Sequence, residues 1–116
     1  LSIVLRRCRK PAEAEAVLLA ALELDPRSPT TLFELGVAVF EQGKFEAAAS
    51  TFRQLIQVRP DYARGHLNLG LALERQGCYA DAEASFREAL RLRPSNPVVL
   101  GNLGTVLRRQ RRSAAP

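Results

Sequence analysis

The sequence predicts an all-α fold, an array of helix-turn-helix units stacked into an α-α superhelix of seven antiparallel-stacked helices. Three observations predict it. Gly36, Gly70 and Gly104 recur at intervals of 34 residues. Pro26, Pro60 and Pro94 keep the same interval, and so do Ala14, Ala48 and Ala82. Markers of three kinds sharing one period belong to a repeat architecture, in which each unit packs only on its neighbours.

The helices follow in order. Residues 1–9 read as the end of a helix, with Leu1, Val4 and Leu5 apolar and Arg6, Arg7 and Arg9 behind them. Pro11 suits the first turn of the next helix, where its missing N–H costs nothing. From Ala12 to Leu24 the apolar residues Ala14, Val17, Leu18, Ala21 and Leu22 recur at three and four, which marks one buried face. Asp25-Pro26 stops this helix, because a residue before proline disfavours the α conformation. Ser28 is placed as an N-cap with Pro29 as the first helical residue. The helix from Pro29 to about Glu41 buries Leu32, Leu35, Gly36 and Val39. Gly43 then supplies a left-handed stop, and so short a link folds the helix at about Phe45 to Val58 back antiparallel. The plan repeats at about 62–76 and 79–92. Asn96 caps a last helix that begins at Pro97 and runs to about Gln110. The expected divisions are thus a partial repeat at 1–28, repeats at 29–62 and 63–96, a further first helix or capping helix at 97–112, and a tail at 113–116.

Packing accounts for the marker residues. A glycine inside a helix costs about 1 kcal/mol relative to alanine, so its recurrence at mid-helix points to close approach of a neighbour. Ala14, Ala48 and Ala82 are small for the same reason on the returning helices, and Phe52 and Phe86, with Leu18 in the first copy, fill the space between.

Composition narrows the function classes. No apolar run approaches the roughly 20 residues that cross a bilayer. The opening segment has its charges after its short apolar stretch, unlike a secretory signal. With no methionine anywhere, the sequence reads as a piece of a longer chain. Cys8 and Cys78 lie 70 residues apart, or about two repeats, too far along a stack for the roughly 7 Å that a disulfide can span. A reducing, cytoplasmic setting fits. A single histidine and no paired cysteines make a metal centre unexpected. His66 reads as a packed, hydrogen-bonded filler, since it has no catalytic partner in the pattern. No glycine-rich phosphate loop and no nucleophile–base set is present, so neither a cofactor nor catalysis is expected within these residues. Net charge is +5, and 15 of the 17 basic residues are arginine, whose planar donor fork suits carboxylates.

These residues resemble the tetratricopeptide repeat (TPR). With Ala63 opening the best copy, Leu69-Gly70, Leu73, Ala82, Phe86, Ala89 and Pro94 fall on that family's small, apolar and proline positions. Leu32, Leu35-Gly36, Val39, Ala48, Phe52, Leu55 and Pro60 do so in the copy before. His66 departs from the pattern, standing where tryptophan or leucine is usual. The resemblance implies a right-handed superhelix whose first helices line a concave groove for an extended peptide or partner helix. On this chain the implied groove residues are Glu34 and Val37; Arg64, Asn68, Leu71 and Arg75; and Asn102, Thr105 and Arg109. Ile3, Arg6 and Arg7 would be contributed by the first, truncated copy.

Asn68 and Asn102 share one register position. An asparagine amide can pair with a ligand backbone whatever the ligand's sequence, or it can cap local carbonyls. First helices of adjacent repeats lie roughly 10 Å apart, which an extended peptide covers in about three residues. The arrangement is similar to the asparagine ladder of O-linked N-acetylglucosamine transferases, interrupted here by Glu34. The carboxylate clamp of the chaperone-binding subfamily is incomplete in either register: Phe33, Val37 and Val98 occupy its places in one, and Ile3 and Glu34 in the other. Binding of Hsp70 or Hsp90 tails is therefore not expected.

The sequence thus predicts a non-catalytic protein-interaction module with a protein or peptide partner, acidic in character. A second reading is a regulatory or substrate-presenting segment of a larger enzyme such as a glycosyltransferase. Nucleic-acid binding through Arg108, Arg109, Arg111 and Arg112 is disfavoured, because no aromatic residue interleaves with them for stacking. Val99, Leu103, Val106 and Leu107 lie on a last helix without a returning partner, which predicts weak homo-oligomerisation there or burial against further sequence.

Overall fold

The computed structural model describes residues 11–114. They form six helices: α1 (Pro11–Leu24), α2 (Pro29–Glu41), α3 (Phe45–Val58), α4 (Ala63–Arg75), α5 (Tyr79–Leu92) and α6 (Pro97–Ala114). The sequence predicts seven; the one expected over residues 1–9 lies outside the described residues, as do Ile3, Arg6, Arg7 and Cys8. No strand occurs among the described residues.

Local chemistry sets the boundaries. The Ser28 hydroxyl accepts from the Thr31 amide at 3.3 Å and so caps α2. Asn96 caps α6, its side-chain oxygen accepting from the Val98 amide at 2.9 Å. Gly43 and Gly77 both take φ of +82° in the turns after α2 and α4, a conformation that a Cβ makes costly. At the corresponding place after α6 stands Arg111, one period beyond Gly77. With no glycine to turn the chain, α6 runs on to Ala114, past Gln110, where the sequence places its end.

Each helix packs on the next, and α2, α4 and α6 also touch one another. The alternate helices α1, α3 and α5 make no such contact among themselves. The first helices therefore lie on the inner, concave side and the returning helices on the outer side. The radius of gyration, 14.9 Å, exceeds the roughly 13 Å of a compact chain of about 100 residues, as stacking without closure requires.

The core runs along the seam between the two layers. Ala48, Phe52, Leu55, Ala82 and Phe86 are wholly buried. A Cβ on Gly70 would meet three atoms of the Phe86 ring at 2.6–2.9 Å, and one on Gly36 would press on Phe52 in the same way. The close approach inferred from the period therefore exists at these two glycines. It does not exist at Gly104, where a Cβ would meet nothing within 4 Å, because no helix among the described residues brings a ring against that side of α6. Ala14, likewise, is only partly covered, whereas Ala48 and Ala82 are sealed.

Polar ties between repeats reinforce the stack at both ends. The Gln42 amide donates to the Glu15 carboxylate at 2.7 Å, and the Gln110 amide to the Glu83 carboxylate at 2.6 Å. Gln76 holds the same register but donates only to its own helix, at the Ala72 carbonyl, because Ala49 stands where the other two find a glutamate. The Gln42 and Lys44 contacts hold the Glu15 carboxyl below its ordinary range, and Gln110 and Arg87 do the same for Glu83. His66 is half-buried, with Nε2 2.9 Å from the Pro60 carbonyl oxygen, a local structural contact.

Candidate binding groove

The concave face is built from the inward sides of α2, α4 and α6, and its side chains fall into three groups. At the N-terminal end of α4, the Arg64 guanidinium lies over the Phe33 ring of α2 with its carbon 4.4 Å from the centroid. It also donates to the Tyr62 hydroxyl at 3.3 Å. Phe33 in turn packs edge-on against Tyr62, ring centres 5.8 Å apart. Arg64 forms no ion pair with any described residue. A cleft of about 870 Å³ opens beside it, with Arg59, Asp61, Tyr62, Leu67, Arg93 and Asn96 in its lining. Arg59 is tied to Asp61 at 3.4 Å.

At the middle of the groove lie Asn68, Leu71, Asn102 and Thr105, all half-buried. The Thr105 hydroxyl donates to the Gly101 carbonyl of its own helix at 3.1 Å. Neither the Asn68 nor the Asn102 side chain hydrogen-bonds any described residue. Both amides thus stand in register on adjacent helices with donors and acceptors uncommitted. Glu34 and Val37 sit further back on α2, beside a hollow of about 470 Å³ that α2 shares with Ala14, Val17 and Leu18 of α1.

The C-terminal ends of the groove helices are organised around Glu74, which is only 7% exposed. Its carboxylate pairs with the neighbouring Arg75 and, at 3.2 Å, with Arg109 of α6. The Tyr79 hydroxyl, and after it the Glu74 carboxylate, hold the Arg109 guanidinium above its ordinary pKa. Arg75 also lies over the Phe40 ring of α2 at 5.7 Å. Arg75 and Arg109, both expected to face a ligand, are thus each paired with Glu74 while their side chains stay about half exposed.

Sequence reasoning missed Glu74 as a buried anchor, and it missed the Phe33–Tyr62–Arg64 cluster. A signal for the first was present. Phe40 and Arg75 are 35 residues apart, as are Glu74 and Arg109. One register position thus meets the arginine one place further on in the next repeat, whether through a ring face or through a carboxylate.

Comparison with known proteins agrees with this architecture. A family profile described as "Tetratricopeptide repeat" matches residues 1–55 and 39–97. A search of curated proteins returned no match. Among solved structures, the first TPR domain of human RPAP3 superposes with a TM-score of 0.89 at 19% identity, covering 93% of this chain and 85% of that one. The Sgt2 TPR domain from Aspergillus fumigatus gives 0.87 at 22% identity, with 97% and 78% covered. The second TPR domain of human RPAP3, in complex with the HSP70 peptide SGPTIEEVD, gives 0.83 at 20% identity, with 88% and 85% covered. The 34-residue period, the stacked helix pairs and the profile match together place this chain in the tetratricopeptide repeat family.

Proposed function

We propose that this chain is a non-catalytic protein-interaction module that binds an extended polypeptide along the concave face of α2, α4 and α6. The observation that carries the reading is the pair Asn68 and Asn102, in one register on adjacent groove helices and without a hydrogen-bond partner among the described residues. A half-buried amide with no internal partner gains most from a ligand that brings its own backbone donors and acceptors. Leu67 and Leu71, both partly buried on α4, supply apolar contact between the polar positions. Binding of an acidic HSP70 peptide by the second TPR domain of RPAP3 supports the ligand class, not the ligand.

Arg64 is a groove arginine without an internal ion pair, whereas Arg75 and Arg109 share Glu74. The acidic portion of the peptide therefore lies toward the N-terminal end of α4. The incomplete carboxylate clamp argues that recognition runs along the backbone and does not depend on a terminal carboxylate.

The test uses an array of immobilised peptides, acidic and neutral, probed with the intact chain and with an Asn68→Ala, Asn102→Ala double variant. Two lost hydrogen bonds of about 1 kcal/mol each should weaken binding at least tenfold across peptide sequences. Equal retention of the same peptides by the double variant would refute the groove reading.

A further inference from the structure

We propose that the cleft at the N-terminal ends of α4 and α6 receives a phosphorylated side chain, so that the peptide held in the groove is a phosphopeptide. The inference rests on the groove reading and adds the chemistry of one subsite to it.

The cleft, about 870 Å³, lies between two successive links of the array, α3–α4 and α5–α6, so its walls are built within the stack and not at either end. Arg59 and Arg64 belong to the first link and the start of α4, and Arg93 to the second link. The links carry corresponding runs 34 residues apart, Arg59-Pro60-Asp61 and Arg93-Pro94-Ser95. One difference separates them, and it decides the charge. Asp61 pairs with Arg59 at 3.4 Å. Ser95 offers Arg93 no carboxylate, and the Arg93 side chain has neither a hydrogen bond nor an ion pair among the described residues. Arg64 likewise has no ion pair there, and its contacts are the neutral Phe33 ring and Tyr62 hydroxyl. Three guanidinium charges against one carboxylate leave the cleft with two positive charges.

That charge selects the ligand. A carboxylate carries one negative charge, which a single guanidinium satisfies. A phosphomonoester carries about −1.5 to −2 at pH 7 and three acceptor oxygens, enough for two guanidinium forks at once. The second link adds further donors. The Asn96 side-chain oxygen is occupied by the Val98 and Val99 amides, which leaves its N–H group without an acceptor among the described residues. The Ser95 hydroxyl lines the cleft beside it.

The same lining favours a peptide as the carrier of the phosphoryl group. Arg64 and Leu67 border both the cleft and the groove, so a residue of a groove-bound peptide enters the cleft without leaving the groove. Tyr62 is the single aromatic residue in the lining. Its ring is already met by Phe33, Arg59 and Arg64, which disfavours a nucleic acid, whose bases need faces to stack on.

The experiment uses the array of immobilised peptides in three forms, with phosphoserine, glutamate or serine at one central position, probed with the intact chain. Wild type should hold the phosphoserine form about tenfold more tightly than the serine form, with glutamate between them. Two variants at exposed residues test the cleft. Arg93→Gln removes its charge, and Ser95→Asp gives Arg93 the carboxylate that Asp61 gives Arg59. Both should erase the preference for phosphoserine while holding the serine form as before. The Asn68→Ala, Asn102→Ala variant should instead weaken all three forms in equal proportion. Phosphoserine peptides held no more tightly than their glutamate counterparts would overturn the proposal, as would an Arg93→Gln chain that keeps the preference. So would tighter binding of single-stranded polyuridine than of the phosphoserine peptides, which would assign the cleft to nucleic acid. Loss of the preference alone leaves the groove reading standing, whereas equal retention of all three forms by the asparagine variant fails the groove reading and the phosphopeptide with it.

Discussion

Gly70 and Gly104 occupy the same register in α4 and α6, yet alanine should act on them with opposite sign. The helix-propensity gain from Gly→Ala, about 1 kcal/mol, applies equally to both and cancels in the comparison. At Gly104 nothing opposes it, since a Cβ would meet no atom within 4 Å. At Gly70 the Cβ would approach three atoms of the Phe86 ring at 2.6, 2.7 and 2.9 Å. That ring is fully buried and cannot swing aside, so the overpacking cost of about 1–3 kcal/mol falls on Gly70→Ala alone. Gly104→Ala should therefore be stabilising by about 1 kcal/mol, and Gly70→Ala should be less stable than it by about 1–3 kcal/mol. The assay is urea unfolding followed by circular dichroism. Measured against Phe86→Leu alone, Gly70→Ala should cost less than it does in the wild-type chain, because the contact is relieved. If Gly70→Ala proved as stabilising as Gly104→Ala, the claim that the Phe86 ring is wedged against α4 would be wrong.

Gly77→Ala forces a Cβ into φ of +82° with no neighbour to clash; thermal unfolding should show a loss of about 1–2 kcal/mol from conformation alone. The Glu83 carboxyl is held below its ordinary value first by Gln110 and then by Arg87. A depressed carboxylate stabilises the fold above its unfolded pKa and loses that contribution as pH falls through the folded value. Wild-type melting temperature should therefore fall as pH drops below about 4.5, and Glu83→Gln should flatten that part of the profile. Glu74→Ala removes the shared partner of Arg75 and Arg109; it should cost about 1–3 kcal/mol in urea unfolding and raise the affinity of the groove for acidic peptides on the same array.

The repeat and its punctuation were legible in the sequence because they depend on local rules. Ser28 and Asn96 cap helices through their own side chains, and Gly43 and Gly77 take a backbone conformation that neighbouring residues do not affect. The buried rings Phe52 and Phe86 follow from the period, since three and four spacing fixes which face turns inward. Other features depend on how successive repeats overlap. Glu74 has the composition of a solvated residue and becomes buried because its ion-pair partner Arg109 comes from the next first helix. Gly104 shares the register of Gly36 and Gly70, but its environment is set by the helix that would pack on it. Periodicity gives equivalent positions, and equivalent positions share surroundings only where the neighbouring units are also equivalent.

The same overlap sorts the arginines of the groove. Phe40 and Glu74 hold one register position, and each meets the arginine supplied by the next repeat: Arg75 over a ring, Arg109 against a carboxylate. A ligand carboxylate that reached Arg75 or Arg109 would share the guanidinium with Glu74, whose negative charge offsets part of the attraction. At Arg64 the competing contacts are the Phe33 ring face and the Tyr62 hydroxyl, both neutral. The ring can stay in place while the guanidinium edge accepts a carboxylate, since stacking uses the face of the plane and hydrogen bonding its rim. In the proposed groove, the Arg64 charge is unshared where α4 begins, whereas Glu74 offsets one of the two guanidinium charges where α4 ends.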